Sequence, residues 1–66
     1  MAGNTRGKLK EKFESVHRNF DWSLKHLSEA VVLIKDHKPN LTESIESLAE
    51  GIKTLDELAM GIYARL

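Results

Sequence analysis

The chain has no cysteine. That excludes disulfides and thiolate metal sites as sources of stability, and it fits a reducing compartment. It has a single proline, Pro39, so the backbone is forced to break at only one place. Aromatic residues are few: two Phe, one Tyr and one Trp. No apolar run approaches the roughly 20 residues that a membrane span needs. The longest is Ala30-Val31-Val32-Leu33-Ile34. The first residues lack the apolar core of a secretory signal, and Gly3 stands one position too late for myristoylation. A soluble, cytoplasmic protein with no membrane association is therefore expected. There is no excess of charge either, since ten Lys/Arg balance ten Asp/Glu. Bulk charge gives no ground for nucleic-acid binding. A glycine-rich phosphate loop, a His-Glu-x-x-His zinc motif and a Gly-x-Ser-x-Gly elbow are all missing.

Sixty-six residues make one domain, and a chain this short buries too little surface to be secure as a monomer. With disulfides excluded, association is the remaining remedy. A homodimer or higher oligomer is expected, with no cofactor and no metal.

What is present is helical period. From Leu41 onward, apolar residues fall at Leu41, Ile45, Leu48, Ile52, Leu55, Ala59, Ile62 and Leu66, with spacings alternating between 4 and 3. That is the seam of a helix facing another helix. Glu43, Glu50 and Glu57 recur every seven residues on the opposite face, and Ser44, Ala49 and Gly51 make small flanks. The first half carries a matching heptad: Leu9, Phe13, Val16, Phe20, Ser23, Leu27, Ala30 and Ile34. No carboxylate falls on the seam read for the second helix.

The predicted fold is all-α, an antiparallel two-helix hairpin that self-associates into a helical bundle. Residues 1–5 are expected to fray, with Asn4 or Thr5 capping a helix over about 6–37. Pro39 ends that helix, and a turn spans about 38–40. Lys35, His37 and Lys38 would then sit in its last turn, where cations meet the negative helix end. Asn40 with Glu43 reads as a capping box opening a second helix over about 41–65. The first helix is the longer one, and Arg6, Lys8, Leu9, Lys10 and Lys12, or these together with Phe13, would overhang.

One hairpin covers one seam. Leu9, Phe13, Leu24 and Val31 on the first helix, with Leu33 at its end, are left for another subunit. So are Leu58, Met60 and Tyr63 on the second. These residues are the expected oligomer interface.

Three polar groupings bear on function. Glu14 and His17 have the Glu-x-x-His spacing that binds metal in ferritin-like bundles, but the second helix offers no inward carboxylate to complete it. A solvated surface pair is the simpler account. His17 and Asp21 stand one turn apart, where Asp21 could orient the imidazole, yet a hairpin has no pocket to hold a substrate, so no catalysis is expected. Arg18, Asn19, Trp22, Lys25 and His26 share a face that offers a guanidinium, an indole, an ammonium and an imidazole. The plainer reading makes Trp22 the cover of a subunit joint. The same set could also stack a base and hold phosphate.

The plan resembles that of Rop-type plasmid regulators, in which two short helical hairpins form a four-helix bundle and one face binds RNA. The resemblance is one of architecture, without matched motif residues, and the overhanging first helix departs from it. Small self-associating hairpins of phage and mobile elements offer a second analogy. The expected function is that of a non-enzymatic oligomeric regulatory module binding a host protein. The alternative is an oligomer that binds a nucleotide (a cyclic oligonucleotide included) or RNA through the Arg18–His26 face.

Overall fold

The computed structural model describes residues 2–66, with side chains from Asn4 onward. Two α-helices, α1 (Ala2–Ile34) and α2 (Thr42–Ala64), pack against each other, joined through a short 3₁₀ turn at Pro39–Leu41. The fold is all-α, as the heptads require. Its extents are 54 × 15 × 11 Å. No helix among the described residues is long and apolar enough to cross a membrane.

The boundaries differ from expectation at three points. α1 begins at Ala2, so Asn4 and Thr5 lie inside the helix rather than capping it. Met1, also expected to fray, lies outside the described residues. At the other end α1 stops at Ile34, whose carbonyl accepts from the His37 and Lys38 amides. Lys35, His37 and Lys38 therefore occupy the connection and not the last helical turn. The third difference is the cap of α2. Lys38 has left the helical region, with φ −139° and ψ 73°, in keeping with the bar that a following proline sets against α geometry. Pro39 then opens the 3₁₀ turn itself, which suits a residue with fixed φ and no amide to satisfy. Asn40 is thereby taken into that turn, and Leu41 precedes α2 without any side-chain cap. The expected Asn40/Glu43 box does not form.

The contact between the helices also runs one residue round from the seam read in the sequence. Ile45, Ile52, Ala59 and Leu66 are covered, as expected. Their companions are Thr42, Ala49, Asp56 and Tyr63, all at least half-buried, while Leu41, Leu48, Leu55 and Ile62 stand exposed. In α1 the half-buried rows are Lys10, His17, Leu24 and Val31 beside Phe13, Phe20, Leu27 and Ile34; of the other expected seam residues Val16 and Ala30 are also half-buried, while Leu9 and Ser23 are exposed. The reason is geometric. Each helix carries an apolar arc wider than one partner helix can cover, so a two-helix contact takes one edge of it and leaves the other.

Little of the hairpin is fully enclosed. Ala59, at 8% exposure, is the one buried residue among those described. The chain exposes 5356 Å². A compact monomer of its mass would expose roughly 4,200 Å² by the scaling of surface with mass.

Candidate functional site

The hairpin has two unlike edges along its seam. One is polar and closed. His17 Nδ1–H donates to both oxygens of Asp56, at 2.8 and 2.9 Å, joining α1 to α2. The hydrogen bond to Asp56 and then the charge of that carboxylate raise the His17 pKa above 6.5, with Asp21 adding to the effect. Two turns further along α2, Tyr63 Oη donates to Glu14 Oε2 at 2.7 Å, and Lys10 Nζ lies 5.8 Å from the centroid of the same ring. That hydrogen bond, then burial, then the charge on Glu14, push the phenol above 10.0.

These contacts correct three expectations. The seam of α2 does carry a carboxylate, Asp56. The imidazole of His17 is oriented by Asp56 rather than by Asp21. Glu14 and His17 are solvent-accessible but not only a surface pair, since each is also engaged by a residue of α2. Among the described residues no group of three His, Asp or Glu side chains is placed to hold a metal. Because Lys10 already meets Tyr63, the overhang of α1 is shorter than expected and ends near Leu9. Phe13 is half-buried within the hairpin.

The opposite edge is apolar and open. Leu41, Leu48, Leu55 and Ile62 form a ridge at seven-residue intervals, each between 39% and 56% exposed, and Leu58 beside them is 63% exposed. Where the ridge reaches the turn, Leu41 and Ile45 share an open apolar groove with Ala30, Leu33 and Ile34 of α1. The exposed Leu33 of α1 and Leu41 before α2 therefore lie on one side of the molecule at its turn end. The ridge is bordered by Ser44, Ser47, Gly51, Thr54 and Gly61, so this arc of α2 holds no charged side chain across roughly 160° of its circumference. A Cβ at Gly51 or Gly61 would meet nothing within 4 Å. Glycine inside a helix costs about 1 kcal/mol relative to alanine, and no contact within the hairpin repays that cost.

Of the residues expected at an oligomer interface, Leu9, Leu33 and Leu58 are exposed, while Phe13, Leu24, Val31, Met60 and Tyr63 are half-buried within the chain. Leu41, Leu48, Leu55 and Ile62 fall outside that expected interface because hydrophobic period alone assigns them to the hairpin's own seam.

The third surface is the outer face of α1. Arg18, Trp22 and Lys25 line an open groove with Asp21, Leu24 and Ser28. Trp22 is 60% exposed. Lys25 Nζ lies 5.3 Å from its ring centroid, and the His26 imidazole meets it edge-on at 5.1 Å. Arg18 donates to Ser15 Oγ at 3.0 Å, and His26 is 3.5 Å from Glu29. Asn19 is exposed at the border. The five residues do share a region of one helix, with the carboxylates of Asp21 and Glu29 among them.

No family model matches the chain, and no curated protein or solved structure matches it.

Proposed function

We infer that the chain is an interaction module without chemistry of its own, acting as a homo-oligomer that presents its remaining surface to a protein partner. The observation that supports this is the charge-free ridge Leu41–Leu48–Leu55–Ile62. A fully buried Leu or Ile is worth roughly 1.5–3 kcal/mol. Leaving four in water would forfeit much of the roughly 5 kcal/mol available to a small domain. Covering them requires another helical surface and no catalytic group. Sedimentation at micromolar concentration should give a mass that is a multiple of 7.5 kDa. A stable monomer throughout that range would refute the reading.

A second reading keeps the Arg18–His26 face as a nucleotide or RNA site. It is favoured by Trp22, which is exposed and turned away from α2, so it stays open when the Leu ridge is covered. Asp21 and Glu29 count against a dense phosphate grip there. Binding through phosphate would weaken steeply with salt, whereas an apolar protein contact would not.

A further inference from the structure

We propose that a second copy of this chain covers the Leu ridge, with α2 packed antiparallel on its own counterpart and a two-fold axis passing at Gly51. This rests on the oligomeric reading above and names its partner, register and axis.

Surface area comes first. The chain exposes 5356 Å², roughly 1,100 Å² more than a compact monomer of its mass. A stable interface removes about 800 Å² from each partner. The excess is of the size that one such interface takes away.

The second argument is self-complementarity. An isologous interface requires a surface to fit its own rotated copy. Helical geometry assigns the pairs for an antiparallel approach centred on Gly51. Gly51 meets Gly51 of the second copy on the axis, where the absence of Cβ lets the backbones approach closely. One full heptad to either side, Ser44 faces Leu58, a small residue against a large one, and the symmetry repeats the pair. On the flank nearer the hairpin's own core, Leu48 faces Leu55. On the outer flank, Ser47 faces Thr54, giving a polar rim to an apolar centre. A partner of unrelated sequence would have no reason to match this spacing about one glycine.

The first helix agrees with the same axis. Counting along the antiparallel pair from the His17–Asp56 contact places Gly51 level with about residue 22 of α1. The neighbouring Ser23 is the small, exposed member of the row Leu9–Val16–Ser23–Ala30. Both helices thus present a small residue to the axis at one height. Val16 and Ala30 lie seven residues to either side of Ser23 and pair large with small in turn. The open space around Gly51 in the single chain is then what the second backbone fills.

The cysteine-free chain permits a direct test. Gly51→Cys should oxidise to a covalent dimer within minutes at low micromolar concentration, because a residue on the axis lies within disulfide reach of its copy. Gly61→Cys, about 15 Å along the helix from the axis, should not. Gly51→Phe should keep its helical circular dichroism at high concentration while weakening self-association at least 100-fold by sedimentation. A dimer that survives Gly51→Phe, or that cross-links through Gly61→Cys and not Gly51→Cys, would overturn the axis and leave the oligomeric reading intact. A native chain that stays monomeric by sedimentation would overturn both.

Discussion

The two edges of the seam are built from the same helices and the same heptads, yet they do opposite things. On one edge His17 and Glu14 of α1 meet Asp56 and Tyr63 of α2 through short hydrogen bonds within a single chain, with Lys10 Nζ 5.8 Å from the centroid of the Tyr63 ring. On the other, Leu41, Leu48, Leu55 and Ile62 are each about half exposed, beside Gly51, whose absent Cβ would meet nothing within 4 Å. The polar edge is complete in one copy. Its directional hydrogen bonds hold α2 on α1 in the register that the short connection through Pro39–Leu41 allows. The apolar edge is incomplete in one copy and supplies a driving force without a partner. The polar contacts are thus satisfied inside the chain, while the apolar edge stays open in a single copy.

The sharpest way to break this contrast is a charge on each of two neighbouring rows. Ile52 belongs to the row covered by α1, so Ile52→Asp strands an unpaired charge at the helix contact. Such a charge costs about 3–5 kcal/mol, enough to unfold a domain this small. Helical circular dichroism should collapse. Leu48→Asp places the same charge on a residue that is 56% exposed in the hairpin. It should abolish self-association first and cost helicity only as far as the hairpin depends on its second copy. If Leu48→Asp assembles like the native chain, or if Ile52→Asp remains folded, the division into a covered row and an open row is wrong.

That division shows where sequence reasoning stopped. Two rows, Ile45–Ile52–Ala59–Leu66 and Phe13–Phe20–Leu27–Ile34, were readable because they lie at the centre of each apolar arc and are covered whichever edge a partner takes. Which neighbouring row joins them was not readable, because hydrophobicity favours Leu41–Leu48–Leu55–Ile62 and the hairpin uses Thr42–Ala49–Asp56–Tyr63. The His17–Asp56 bond links residues 39 apart in sequence, and no local pattern announces it. One signal was available: Asp56 is the acid of α2 that falls outside the rows of Glu43, Glu50 and Glu57 and of Glu46 and Lys53. The turn misled for a local reason, since Pro39 starts a helical turn itself and removes Asn40 from the capping position. The candidate ligand face was readable as a shared surface of α1, but the edge-on contact of Trp22 with His26 depends on rotamers that spacing does not specify.

A smaller effect should come from acid and base. The folded pKa of His17 is raised above 6.5 by Asp56. The stabilising contribution is therefore fully present below pH 6.5 and is lost as pH rises through the folded value. The melting temperature should fall modestly between pH 6 and pH 8, since the imidazole is 44% exposed and solvent screens the pair. Asp56→Asn keeps an acceptor but removes the charge, and it should flatten the profile. A His17 pKa at or below 6.5 by NMR titration, or an unchanged profile in Asp56→Asn, would show that the polar edge does not hold the chain as described.

The smallest effect belongs to Tyr63. It is the chain's one tyrosine, so its ionisation can be followed alone by ultraviolet absorbance. Ionising the phenol removes the proton donated to Glu14 and sets a phenolate against a carboxylate 2.7 Å away. Both changes oppose ionisation, and the folded pKa stands above 10.0. Its contribution to stability is thus present below pH 10 and is lost only as pH rises through that higher value. Near neutral pH, Tyr63→Phe should lower the melting temperature less than Asp56→Asn does. The ring and its contact with Lys10 remain, and only one solvent-accessible hydrogen bond is lost. Glu14→Gln should bring the phenol midpoint down toward 10, because the amide oxygen still accepts a hydrogen bond but repels no phenolate. A native midpoint at 10, unmoved by Glu14→Gln, would mean that the end of α2 does not rest on Glu14. The polar edge would then consist of the His17–Asp56 contact alone.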